Sequence, residues 1–599
     1  MMADNQGKHM VIMDIHSNFF SKLKNHFERN FKPARRVNKI RKWFNNSCRV
    51  AKRELLSAIR VGDRVLLSTA RSNYKKAMAV AKNEWEQTRW EALMMAAKTK
   101  NSRLFWRLVT HGSKDSVHQR ETYVQPHQWE DHFTALYKSS EAVELATWGE
   151  ADTPPIPFSL AETREAILSQ NKGKAPGIDR IPADLYCTES EVWVPYINAV
   201  SNAILSGAPI PDTWKGAEIV PIYKKGDKSA PANYRPISLL DNLQKIFASQ
   251  ILTRLKDWME ESGVLSHLQG GFREKMGTIE QCFRFSMLKW KTVDFGKGRL
   301  YVAFVDLRAA FDLVPRGMLW TALGSMGVPS DLLDIMVRLH EANYAVVRWG
   351  TNGETTEKIA ISKGVRQGCA LAPTLFLLYI NQCVPYLMDC QNDSPVLAGE
   401  KIPALFFADD TLLISKTHMG LQNLLDCFLL FCNNTGLEMN YSKTKYMVLN
   451  KKKKTGGKIN VGKEPLEQVS EFDYLGIRFT SNSSWSAQIT KSAGLIKQRG
   501  GAICRFAKQA KNHPISPALE IYKAQAVSAA LYGGELWGHI DCASLTIAEN
   551  KFLRELLILK RNTPIIPLKL DLCLKPIHEI CKLLPILLWC RIWGTDELS

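Results

Sequence analysis

Two apolar runs that carry aspartate constrain this chain more than any other feature. LYVAFVDLRAAFD, Leu300 to Asp312, brings Asp306 to the end of a strand-like stretch, and ALFFADDTLLIS, Ala404 to Ser415, holds Asp409 and Asp410 between apolar residues. The second pattern predicts a β-hairpin with acids at its tip. Adjacent like charges beside buried strands repel one another and lose hydration, so they call for a compensating cation. The three carboxylates converge if the two strands lie side by side in one sheet. Hard oxygen ligands of this kind suit Mg²⁺ and leave room for water and phosphate. Two such ions together activate an attacking hydroxyl and stabilise a leaving pyrophosphate in an in-line displacement. Taken alone, the Asp-Asp dipeptide reads as a surface turn. Asp312, ahead of Pro315 and a helical run, reads as an N-terminal helix residue rather than a metal ligand.

The 599 residues exceed what one core can organise, and roughly 150 residues per domain implies three or four domains. A single small binding module is excluded. Hydrophobic residues at 45% and charged residues at 23% are those of a globular protein, which excludes wholesale disorder and fibrous architectures. The charge is unusual: 79 Lys and Arg against 59 Asp and Glu give +20. A polyanionic partner follows, nucleic acid ahead of an acidic membrane surface. No apolar stretch approaches the roughly 18 residues of a membrane span. The N-terminus has no apolar run after a basic start, so no signal sequence is expected. Thirteen cysteines without paired spacing suit a reduced compartment, cytosol or nucleus.

Most of the positive charge lies between Phe31 and Lys114, where the spacing of Leu55, Leu56 and Ile59, and of Tyr74, Met78 and Ala81, predicts helices. Trp85, Trp90, Phe105 and Trp106 stand among the bases. The segment reads either as a solvated basic face or as a surface that tracks phosphates. Acidic residues and TPPIP mark a boundary over Glu141–Pro157. Beyond it, strand-like runs (Ala217–Tyr223, Leu300–Leu307, Ala404–Phe407) alternate with helical ones such as Leu239–Leu255, which predicts an α+β or α/β core. Lys451–Lys454 and the following Thr455, Gly456 and Gly457 read as a turn or linker. Gln488–Ala510 and Pro517–Leu531 read as helices, and no internal repeat is present.

At these residues the sequence resembles the reverse transcriptases of non-LTR retrotransposons, the long interspersed element type. The resemblance is an ordered series: KGKAPGIDRIPADLY from Lys172, IVPIYKKGDKSAPANYRPISLLDNLQKIFASQIL from Ile219, QGGFREKMGTIEQ from Gln269, FVDLRAAFDLVP, GVRQGCALAPTLFLLYIN, FFADD, GLEMNYSKTKYMVL and FDYLGIRF. It implies an α+β right-hand polymerase with a basic helical N-terminal extension. The expected layout is the extension over 1–140, fingers and palm over 151–479, a helical thumb over 480–540, and a helical C-terminal segment over 541–599.

The resemblance also implies roles. Asp306, Asp409 and Asp410 match the catalytic, metal-binding triad, with the Leu307 carbonyl a further ligand. Phe311 matches the ring that excludes a ribose 2′-OH, and reads otherwise as a core aromatic. Lys224, Lys225 and Arg235 lie where the family holds the incoming triphosphate, and Lys225 and Arg235 are selected. Gln367 and Gly368 belong to the nucleotide and template pocket. Lys443 matches the lysine that protonates pyrophosphate, with Lys445 a near competitor. The expected reaction is addition of dNTPs to a DNA primer 3′-OH on an RNA template, with two Mg²⁺ ions, in target-primed reverse transcription. The expected compartments are nucleus and cytoplasm. No endonuclease is recognisable, so nicking is expected from a separate protein and the chain reads as a truncated copy. Cys573, His578 and Cys581 fit no zinc knuckle well. An inactive RNA-binding relic and a group II intron type maturase are the competing readings.

Overall fold

The computed structural model describes residues 13–14, 16, 19–23, 43–99, 108, 123–138, 154–350, 354–449, 457–509 and 515–593. Most of the expected Glu141–Pro157 boundary, the Lys451–Lys454 run, Phe105 and Trp106 lie outside the described residues. The chain forms two compact units, 1–33 with 118–470, and 34–117 with 471–599.

The first unit is built on two sheets. In one, β1 (Gly216–Tyr223) pairs antiparallel with β2 (Tyr234–Leu239) and parallel with β4 (Tyr344–Trp349), whose outer edge takes the short strands β5 (Glu354–Thr355) and β6 (Ile359–Ala360). Glu218 on β1 is 1% exposed and binds both Arg348 (2.6 Å) and Arg180 (2.7 Å). This tie joins the Lys172–Tyr186 segment to the sheet. The expected helix from Leu239 starts three residues later, as α4 (Asn242–Ser262). Pairing of Leu239 with Glu218 keeps the chain extended to that point, and Gly263 at φ 60° ends the helix.

The second sheet has the order β10–β9–β3–β8–β7, with β3 (Leu300–Val305) at its centre, β7 (Ala404–Phe407) and β8 (Asp410–Ser415) on one side, and β9 (Lys445–Leu449) and β10 (Glu467–Gln468) on the other. Every residue of β3 is buried, as an unbroken apolar run dictates. The helix α7 (His418–Thr435) packs on β3 and β8, capped by the Thr417 hydroxyl at its start and by Gly436 at φ 67° at its end. The helix α3 (Pro126–Tyr137) also belongs to this unit. It packs on β6 and on the helical turn α5 (Ala310–Leu313), and the Tyr137 carbonyl accepts from Ser362 N–H and Oγ.

The second unit joins segments far apart in sequence. The helices α1 (Asn46–Val61) and α2 (Arg64–Lys98) form a hairpin turned at Gly62, φ 77°. The α2 helix packs on α9 (Ile515–Ile521), and its Trp90 ring lies 4.9 Å from Phe506 of α8 (Ser486–Gln509). The Arg89 guanidinium stands 4.8 Å over the same ring. The hairpin of β11 (Glu471–Tyr474) and β12 (Ile477–Thr480) leads into α8, which packs on α10 (Ala543–Leu556). Lys569 and Glu549 form a buried ion pair that also braces the first residue of α11 (Ile577–Trp593). This unit holds 36 Lys and Arg against 17 Asp and Glu, a net +19, whereas the first unit, with 43 against 42, is nearly neutral.

Cys390 and Cys427 are bonded to each other, which departs from a wholly reduced set; the other eleven cysteines form no disulfide. Among the described residues no helix is long and apolar enough to cross a membrane.

Candidate active site

Strand register brings the three aspartates together. Thr411 of β8 faces Val305 of β3, so one step further along the antiparallel pair Asp410 faces Asp306. Asp409 is in the β7–β8 turn, directly before Asp410. On the other flank of β3, Lys445 faces Phe304, and the same count brings Lys443 beside Asp306. The Lys443 ammonium donates to Asp306 Oδ2 at 3.0 Å, whereas Lys445 pairs with Glu467 at 2.7 Å and faces elsewhere. The Asp306 backbone is fixed as well: its N–H donates to Thr444 Oγ1, and its carbonyl accepts from Asn440 N–H. Leu307 is buried and bridged to Met439.

The acid pair in the turn, Asp409 and Asp410, stands in an environment that disfavours its charge. Burial, then Asp409 and Asp306, push Asp410 up to about 6, against the pull of Lys443. Asp409 is raised by burial and by Asp306, with its own backbone N–H, Arg235 and Lys443 opposing. Carboxylates crowded at this cost favour a compensating cation, although among the described residues no group of three or more His, Cys, Asp or Glu is drawn close enough to hold a metal ion as it stands.

The turn carrying the acid pair is braced by residues that sequence reasoning assigned no role. Ala408, at φ 56°, precedes Asp409, and its N–H donates to Gln269 Oε1 at 3.2 Å. The same oxygen accepts from Gly271 N–H at 2.8 Å. Gln269 is 2% exposed, and a Cβ on Gly271 would overlap the Ala408 amide. The QGGF motif therefore closes around FADD through a contact that only a glycine permits.

Lys224, Lys225 and Arg235 sit on the β1–β2 hairpin. Lys225 lies on the exposed turn, while Lys224 is adjacent to the closing bond from its N–H to the Asn233 carbonyl. Burial and the repulsion of Arg235 and Lys443 lower the Lys224 ammonium, with Asp312 and Asp306 opposing. Lys224 thus shares the field of the acidic cluster. Phe311 stacks on Phe376 at 4.7 Å and is half-buried. The loop of Gln367 and Gly368 is tied to β2, where Ser238 N–H donates to the Gln367 carbonyl at 2.8 Å. Gly368 takes φ 133°, and any Cβ there would overlap the Ser238 carbonyl. Gln367 Nε2 donates to Asp312 Oδ2 at 2.9 Å.

A central antiparallel sheet with an aspartate ending one strand and an aspartate pair in the neighbouring turn is the palm of a right-hand polymerase. Residues 222–479 match the family model "Reverse transcriptase (RNA-dependent DNA polymerase)". Over these residues the chain is similar to reverse transcriptases, and its curated relatives include RNA-directed DNA polymerases of transposons and mobile elements. It is 27% identical over 396 residues to the "Probable RNA-directed DNA polymerase from transposon X-element" of Drosophila melanogaster, covering 65% of this chain and 42% of that one. A type-1 retrotransposable element R2 polyprotein of Popillia japonica is 28% identical over 284 residues, 47% of this chain and 38% of that one. Among solved structures, a Candida tropicalis telomerase matches with a TM-score of 0.34 at 13% identity, over 53% of this chain and 62% of that one. The chain spans less than half the length of the curated X-element and BS relatives it matches. Reverse transcriptases generally use a divalent metal.

Proposed function

We propose that the chain is an RNA-directed DNA polymerase of a non-LTR retrotransposon, adding dNTPs to a primer 3′-OH on an RNA template in target-primed reverse transcription. The observation that carries this reading is the convergence of Asp306, Asp409 and Asp410 at one edge of the sheet, inside the matched domain. These carboxylates, with the Leu307 carbonyl, would hold two Mg²⁺ ions. When bound, the ions supply charge stabilisation at the reacting phosphate and lower the pKa of the attacking hydroxyl. The remaining work falls to the chain's own groups. Lys224, Lys225 and Arg235 bind the triphosphate oxygens, and the Phe311 ring crowds a ribose 2′-OH. Gln367 and Gly368 shape the base-pair pocket. Lys443 Nζ, held at Asp306, gives a proton to departing pyrophosphate.

The basic second unit supplies a phosphate-binding surface for template RNA or target DNA, supported by its net charge of +19. Nicking by a separate endonuclease and residence in nucleus and cytoplasm belong to the same reading. The test is primer extension on poly(rA)/oligo(dT) with Mg²⁺, wild type against Asp409→Asn. Incorporation by the wild type and its loss in the variant support the reading; a well-folded wild type that incorporates nothing overturns it in favour of an RNA-binding relic.

A further inference from the structure

Asp312 is a buried acidic side chain near the site that lies outside the proposed metal-binding set. It is 5% exposed, in the turn α5 between Phe311 and the loop at Gly364. Its carboxylate accepts the Gln367 amide at 2.9 Å, and its field reaches Lys224 and Tyr137. The backbone around it is doubly bonded to the Gln367 loop: Val365 N–H donates to the Phe311 carbonyl, and Gly364 N–H donates to the Val314 carbonyl, both at 2.8 Å. Burying a carboxylate for packing alone is costly where an amide or apolar residue would serve. The carboxylate is hydrogen-bonded to the amide on the Gln367 loop, and its field also reaches the ammonium of Lys224 on the β1–β2 hairpin.

We infer that Asp312 is a positioning residue for the incoming nucleotide: it holds the Gln367 side chain in one rotamer and draws the Lys224 ammonium toward the triphosphate. The inference rests on the polymerase reading and deepens it by naming what orders the nucleotide pocket. A neutral isostere at 312 would keep an acceptor for Gln367 and lose the attraction to Lys224, while alanine would lose both. The effect should therefore fall on nucleotide affinity and grow from asparagine to alanine. A charge-assisted hydrogen bond of this type corresponds to about 10-fold in affinity.

At about pH 8.5, above the value of about 7 to which burial pushes Asp312 and where its carboxyl is therefore ionised, the experiment measures steady-state KM for dTTP and kcat for wild type, Asp312→Asn, Asp312→Ala, Gln367→Ala and Asp312→Ala/Gln367→Ala. Binding of dTTP is read separately by thermal shift with Ca²⁺ in place of Mg²⁺. The expected result is a KM about 10-fold higher in Asp312→Ala with a smaller change in kcat, an intermediate KM in Asp312→Asn, and a double variant no worse than the poorer single one. Should Asp312→Ala fail to fold, the isosteric Asp312→Asn still decides. An unchanged KM with lowered melting temperature in either variant, or additive effects of 312 and 367, overturns the inference in favour of a purely structural carboxylate. If the wild type incorporates no nucleotide, the polymerase reading falls; the positioning role is then retained or lost on dTTP binding alone.

Discussion

Substituting Gly271 by alanine tests whether the QGGF motif sets the position of the proposed catalytic pair, Asp409 and Asp410. A Cβ at 271 would overlap the Ala408 amide nitrogen and lie 3.0 Å from the Phe407 carbonyl carbon, where ordinary contact begins at 3.4 Å. Both neighbours are backbone, so no side chain can swing aside. The β7–β8 turn must retreat by roughly 1 Å, and Asp409 and Asp410 move with it; a misplacement of that size costs about 100-fold in rate. Retreat also weakens the two bonds that Gln269 Oε1 accepts from Gly271 and Ala408. Single-turnover incorporation of dTTP on poly(rA)/oligo(dT) measures the effect, with circular dichroism and thermal melting to show that the fold persists. The rate should drop about 100-fold while dTTP affinity changes little, because the proposed nucleotide pocket at Gln367 lies on a separate loop tied to β2. A folded Gly271→Ala protein with wild-type turnover would refute the claim that this contact positions the acids.

Two further outcomes follow from buried charge. Glu218→Gln leaves Arg180 and Arg348 without their shared counter-charge, and should lower stability by about 3 kcal/mol in urea unfolding, less in so far as the partly exposed Arg180 regains water. The carboxyl of Asp312, pushed up to about 7 by burial, holds its proton more tightly folded than unfolded. Its contribution is therefore favourable below about pH 4 and declines as pH rises toward 7, so the melting-temperature difference between Asp312→Asn and wild type should widen in the variant's favour over that window. A constant difference across it would contradict a buried, proton-binding Asp312.

What was legible in the sequence follows from period and pairing. An unbroken apolar run ending in Asp306, and a second interrupted by two acids, can bury themselves only as neighbouring strands, and the observed register puts Asp410 opposite Asp306. What was not legible depends on contacts through space. Nothing local in QGGF reveals that Gln269 reaches Ala408, 139 residues away. Adjacent lysines in a turn look alike until the hairpin closes at Lys224, and the bond between Asp312 and Gln367 spans 55 residues. The helix expected from Leu239 begins at Asn242 because strand pairing overrides helical spacing there. Composition located the basic segment, but not that α2 would lie on α9 beside Phe506.

That last arrangement has a consequence for how the protein is made. The apolar face of α2, with Trp90, Leu93 and Ala96 buried in the finished unit, leaves the ribosome long before its partners. From Lys98 to Glu471 the chain grows by some 370 residues, about 20 to 75 s at roughly 5–20 residues per second. During that interval a strongly cationic helical hairpin has its hydrophobic stripe uncovered. An uncovered apolar stripe on a nascent chain is prone to aggregate, so the distance in sequence between α2 and α9 sets how long that exposure lasts.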